Sequence, residues 1–148
     1  MNETPKKPVP DRMPRHQSIM QMVQEFATKM EQPLNQAWPY SSANLSRKHQ
    51  SKRLEDLRWS MVQEEFNECW DESCEGNSSE AMLKELADLV YVSFGYSATY
   101  GWDLGEAVRR VHLSNMSKLG VDGKPLKTPD GKVLKGPNYK KCNLEDLV

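Results

Sequence analysis

Two stretches of this chain place acids where a helix should be apolar, and this narrows the folds open to it. On a 3.6-residue helix Leu54, Leu57 and Met61 form one stripe, and the same stripe continues onto Glu65 and Glu68. Further along, Glu85 and Asp88 fall in the run Leu83 to Phe94, so apolar from Leu86 onward that Asp88 is predicted to be buried. Unpaired buried carboxylates are costly or take up protons. Lys84 and Arg58 are the only bases between Leu54 and Val90, against eleven acids, so ion pairs within the segment cannot neutralise it. Two antiparallel helices that hold a cation between their acidic pairs satisfy the pattern.

Four oxygen donors without nitrogen or sulfur suit a hard ion, Mg²⁺ with Mn²⁺ as a substitute, and such ions are commonly shared with substrate phosphates. Glu65, Glu68, Glu85 and Asp88 are therefore the predicted metal ligands, with room for two or more ions that acidify a water. Glu64 lies at the edge of the same face. It reads as a further ligand, as the base for an attacking water, or as ordinary helix surface.

Apolar periodicity predicts four helices. The first runs from His16 to about Glu31 on Ile19, Val23, Phe26, Ala27 and Met30; the second from about Leu45 to Glu72; the third from about Glu80 to Tyr100. Asp103 with Glu106 three residues on is a capping-box pattern for the fourth, whose stripe of Leu104, Ala107, Val108 and Val111 is predicted to be buried and leads to Asn115 and Lys118. The expected fold is all-α, a four-helix core with a short basic C-terminal hairpin and tail. Its parts are a proline-rich arm (1–14), a helical catalytic domain (15–120) and a flap over the site (121–148). The third helix, apolar on nearly every face, suggests that one side of it is covered by another subunit.

The net charge of −1 hides a segregation: Arg109 to Lys141 holds nine Lys and Arg against Asp122 and Asp130. A metal pole and a cationic pole suit a polyphosphate. Asn115 and Lys118, one turn apart, are candidates to meet phosphate or a metal-bound oxygen, and Lys132, Lys135 and Tyr139 to close over it; a polar helix end and a lysine-rich surface hairpin are the plainer readings. Trp38, Trp59, Trp70 and Tyr91 are each able to stack on a base or to serve as core. No aromatic-interleaved basic motif points to nucleic acid, and no apolar run is long enough to cross a membrane. Cys69, Cys74 and Cys142, an odd number without metal spacing, read as reduced thiols of a cytoplasmic protein. No histidine follows a Glu by three positions, against a di-iron bundle, and no phosphate-binding glycine loop is present, against a kinase or motor ATPase.

Glu64-Glu65-Phe66-Asn67-Glu68, then sixteen residues, then Glu85-Leu86-Ala87-Asp88, resembles the E-E-x-x-E…E-x-x-D pattern of the MazG-like all-α nucleoside triphosphate pyrophosphatases. Val111 to Gly120 and Asp130 to Tyr139 look like the helix end and tail of short single-domain members from phages and bacteria. The resemblance implies Mg²⁺-dependent hydrolysis of an NTP or dNTP between the α and β phosphates, to the monophosphate and pyrophosphate, in a homodimer or homotetramer. It places the four acids as metal ligands, and Asn115 and Lys118 near phosphate. Lys84 stands where many relatives carry a second acid. The expected substrates are purine dNTPs, dGTP and dATP, as in the phage MazZ-like subgroup; a pyrimidine dNTP (dUTP or dCTP) is the alternative, and a non-catalytic nucleotide-binding module the non-enzyme reading.

Overall fold

The computed structural model describes residues 17–40 and 48–148, the first turn of the second helix (48–51) by its backbone alone. The proline-rich arm, the predicted start of helix one at His16, and the centre of the connector, with the predicted start of helix two at Leu45, lie outside the described residues. Among the described residues four helices follow one another: α1 (Ile19–Lys29), α2 (Lys48–Glu75), α3 (Ser79–Tyr100) and α4 (Leu104–Met116), with a closing 3₁₀ turn at Glu145–Leu147. The class is all-α, as the periodicity predicts.

Local chemistry sets the boundaries. Ser18 caps α1 in a capping box, its hydroxyl accepting from the Gln21 N–H at 3.2 Å while the Gln21 side chain accepts from the Ser18 N–H at 2.8 Å. Gly76, at a φ of 65°, ends α2, and Ser78 caps α3 through the Ala81 N–H. With so short a link, α2 and α3 form an antiparallel hairpin, which is the principal packing of the molecule; α1 lies against α3 by Val23 and Ala27. Gly101 terminates α3 in the left-handed region, and a Cβ there would stand 2.9 Å from the Asn35 side-chain oxygen of the connector.

α4 departs from expectation. Asp103 does cap it, accepting from the Glu106 N–H at 2.9 Å, but no residue of α4 is buried, and Val108 remains 55% exposed. The reason is its placement: α4 rests chiefly on α1, and one narrow contact does not cover an apolar stripe. Glu106 does not complete the capping box. Its carboxylate takes Arg109 at 2.6 Å and Arg110 at 2.8 Å, and Arg110 continues to Asp146 at 2.5 and 2.8 Å.

This chain of ion pairs ties the C-terminus to α4 and carries a pH dependence. Hydrogen bonds from Arg109 and Arg110 hold the Glu106 carboxyl down at about 2, against an ordinary 4.5. A carboxyl depressed in the folded state contributes stability that is complete above its ordinary range and lost as pH falls towards 2. The melting temperature of Glu106→Gln is therefore expected to fall less than that of wild type between pH 5 and about 2.5, and parallel melting curves across that window would refute the assignment.

The predicted hairpin forms as a turn. Lys127 and Val133 make an isolated antiparallel bridge around Pro129-Asp130-Gly131, with no strand among the described residues. The tail then returns along the end of α4: the Gly136 N–H donates to the Lys118 carbonyl at 3.0 Å, the Lys140 N–H to the Ser117 hydroxyl at 2.8 Å, and the Ser114 hydroxyl to the Lys140 carbonyl at 2.7 Å. None of the described helices is long and apolar enough to cross a membrane.

Candidate metal centre

The inner face of α2 is rotated from the predicted stripe. Leu54, Arg58, Met61, Glu65, Cys69 and Glu72 point inward, in steps of four, three, four, four and three, whereas Leu57 is 54% exposed. The stripe therefore passes through an arginine, and Glu65 sits at its centre with Glu68 on the rim.

Across the hairpin, α3 presents Glu85, whose side chain is 15% exposed. One carboxylate oxygen from each of Glu65, Glu68 and Glu85 lies within 4.8 Å of the others, a group able to hold a metal ion. Its electrostatics are those of acids crowded together. Burial raises the Glu65 carboxyl above its usual range, and the charges of Glu68 and Asp88 raise it further. A hydrogen bond shared with Glu85 raises Glu68, with burial second. The Glu65 Oε2 atom is buried without a hydrogen-bond partner. An orphaned anionic oxygen inside an all-oxygen cluster fits a hard divalent cation.

Asp88 is not in that cluster. Its side chain is 41% exposed and paired with Lys84, Nζ to Oδ2 at 2.9 Å, which corrects the expectation that it is buried. Asp88 lies one turn beyond Lys84 on the solvent-facing side of α3, and i,i+4 pairing captures it. The same ammonium stands 3.2 Å from Glu85, and hydrogen bonds to Asp88 and then Glu85 raise its pKa. Lys84 thus supplies a counter-charge at the edge of the cluster. Cys69, which sequence reasoning passed over, is buried beside the acids, and burial together with their charge pushes its thiol up. Its position four residues after Glu65, on the inner face of α2, was the available signal.

The remaining predicted residues are scattered. Glu64 is exposed, near enough to raise Glu68 slightly. Trp38 is packed in an aromatic cluster, its ring centroid 4.8 Å from Tyr100, 4.9 Å from Trp102 and 5.4 Å from Tyr40. Tyr91 meets Phe26 edge-on at 6.0 Å, while Trp59 and Trp70 are exposed. Asn115 is exposed on the last turn of α4 and Lys118 half-buried just beyond it; no described contact joins either to the acids. Lys132 is exposed, and the Lys135 ammonium lies 4.6 Å over the Tyr139 ring, a cation–π pair within the tail.

An α2–α3 hairpin with facing carboxylates, in an all-α core, defines an all-α pyrophosphohydrolase fold related to the MazG-like superfamily. The profile that matches is that of phosphoribosyl-ATP pyrophosphohydrolase, over residues 23–115. That is more than half of the chain, and the chain belongs to this family, whose activity is of the pyrophosphohydrolase type. No curated protein matches it significantly. The family assignment overturns the expectation of a dNTP substrate, purine or pyrimidine, because the family is named for phosphoribosyl-ATP. The error has a physical origin: an all-carboxylate cluster suits a metal with a polyphosphate of any kind, so the acidic motif does not report what else the substrate carries.

Proposed function

We propose that this chain hydrolyses phosphoribosyl-ATP to phosphoribosyl-AMP and pyrophosphate at the Glu65, Glu68 and Glu85 cluster, with Mg²⁺ held there and Mn²⁺ able to replace it. The observation that carries the reading is the buried, unpartnered Glu65 oxygen facing two further carboxylates, in a member of this family. When bound, the cation neutralises phosphate charge and makes water more acidic. Glu65, Glu68 and Glu85 would hold it from both helices, and Asp88, paired here with Lys84, is the further carboxylate that would join them. Hydrolysis breaks one P–O bond of the anhydride and forms another from water, and Glu64, exposed beside Glu68, accepts the water's proton. The basic tail, with Lys132 and the Lys135–Tyr139 pair, and Asn115 with Lys118 at the end of α4, meet the phosphates.

The α4 residues are brought to the acids by a second copy. Support for a homodimer or a larger homo-oligomer comes from apolar side chains exposed on every helix, Phe66, Trp70, Leu83 and Met116 among them, and from an apolar groove of about 420 Å³ between α1 and α3. Three free cysteines suit a cytoplasmic setting.

The test is to incubate the protein with phosphoribosyl-ATP, ATP and the common dNTPs, each with Mg²⁺, Mn²⁺ or EDTA, and to resolve nucleotides while assaying pyrophosphate and phosphate separately. The expected result is metal-dependent phosphoribosyl-AMP with equimolar pyrophosphate. Release of single phosphates would overturn the reaction, and faster cleavage of any unmodified triphosphate would overturn the substrate.

A further inference from the structure

Arg58 has no explained partner. Its side chain is on the inner face of α2, 6% exposed, yet no carboxylate pairs with it among the described residues. Of its five N–H donors, one reaches the Gln32 side-chain oxygen at 3.3 Å and another the Met61 sulfur at 3.7 Å, and Nε has no partner. The Tyr100 hydroxyl, near enough for the two groups to influence each other electrostatically, is likewise buried and unpartnered. The acid of this region, Glu55, is engaged by the Tyr96 hydroxyl at 3.3 Å. Burial disfavours the charged form of Arg58, and among the described residues only the neutral Gln32 and Met61 contacts and the nearby Tyr100 offset that cost, with no full counter-charge. A guanidinium kept in such a place, next to a second orphaned donor, is built for an anion. Its planar fork matches a phosphoryl group, which a neutral residue of the same volume would not.

Its position says which phosphoryl group. Arg58 precedes Glu65 by seven residues, two turns of α2, so the guanidinium and the acids lie on one face about 10 Å apart along the helix. We propose that Arg58, with the Tyr100 hydroxyl, binds a phosphoryl group of the substrate remote from the anhydride being cleaved, and so determines specificity. Resting on the reaction proposed above, the group is the ribosyl phosphate that distinguishes phosphoribosyl-ATP from ATP. The triphosphate is held at the acids and the second phosphate two turns away, and one helix face measures the distance between them.

Two measurements on the full chain test this. With EDTA present, so that no cation recruits phosphate to the acids, ribose 5-phosphate is titrated into wild type, Arg58→Met and Tyr100→Phe by calorimetry, with melting temperature as a second readout. Wild type is expected to bind; Arg58→Met is expected to lose binding while melting higher, since a buried uncompensated charge has become apolar; Tyr100→Phe is expected to bind several-fold more weakly. In turnover, the ratio of kcat/KM for phosphoribosyl-ATP to that for ATP is expected to fall tenfold or more in Arg58→Met, chiefly through KM, as the loss of a hydrogen bond to a charged group predicts. Should Arg58→Met not fold, Arg58→Lys, which keeps charge and loses the fork, takes its place with the same expected losses. An unchanged ratio, or ribose 5-phosphate binding equally to the variants, overturns the subsite. If wild type cleaves no phosphoribosyl-ATP, the substrate reading fails by itself and the titration still decides the anion site.

Discussion

Glu65→Gln is expected to reduce kcat by at least about a hundredfold at saturating Mg²⁺ while leaving the fold intact. Glutamine keeps the volume and removes the charge, so the effect isolates what the carboxylate does for a cation. Of the three clustered acids Glu65 is the informative one, because its Oε2 atom is buried and unpartnered, whereas Glu68 shares a hydrogen bond with Glu85 and Glu85 is braced by Lys84. Burial and the charges of Glu68 and Asp88 already disfavour the Glu65 anion. In EDTA the variant is therefore expected to melt at or above the wild-type temperature. With Mg²⁺ the order reverses, since wild type alone gains the stabilisation of a bound ion. Pyrophosphate release and paired melting curves with and without metal make the measurement. A variant that turns over at near the wild-type rate, or whose melting responds to Mg²⁺ as wild type does, would remove Glu65 from the metal set.

Those acids were legible because their chemistry and spacing coincide: each pair is one helical turn apart, and the hairpin that faces them is dictated by the short Gly76-Asn77-Ser78 link. Two helix boundaries were legible for the same kind of local reason, the end of α3 at Tyr100 before Gly101 and the start of α4 after Asp103, whereas the Ser78 cap, two residues ahead of the expected start of α3 near Glu80, was not. What periodicity could not settle was rotation. Leu57 and Arg58 are adjacent, a stripe that steps by three or by four accommodates either, and hydrophobicity favours leucine; the structure turns the arginine in. That a buried arginine keeps an unpartnered Nε is the kind of fact that a hydrophobic pattern cannot hold.

Asp88 illustrates a second limit. An apolar run predicts burial for everything within it, yet Lys84 one turn earlier provides an exit for the carboxylate towards solvent. The stripe of α4 illustrates a third, since amphipathicity says that a face is to be covered and not by which element. Substrate identity lay furthest from reach. A carboxylate cluster suits the triphosphate common to many nucleotides, while the parts that differ would be met, in the subsite proposed above, by Arg58 and Tyr100, which no spacing rule connects to the acids.

Gly136→Ala is expected to destabilise the protein by roughly 1–3 kcal/mol, as overpacking against fixed atoms does. A Cβ at this position would stand 2.6 Å from the Leu119 carbonyl oxygen and 2.7 Å from that of Lys118, and neither is the end of a flexible side chain. The close approach is what lets the Gly136 N–H donate to the Lys118 carbonyl and start the tail back along α4. For a chain of this length the melting temperature should fall by about 3–10 °C. Because the bonds that follow, Lys140 to Ser117 and Arg110 to Asp146, depend on the same register, hydrogen exchange at the Lys140 amide should accelerate more than exchange in α2 and α3. The variant also separates two roles of the tail. Lys132 and Lys135 move with it; if they hold phosphate, KM rises as the melting temperature falls, with kcat less affected. A lowered melting temperature with KM unchanged would leave the tail as a strap on α4 and take those lysines out of the site. Unchanged stability would mean that the α4 terminus yields to the extra methyl, and the packing of Gly136 on Lys118 and Leu119 would then not be what fixes the tail.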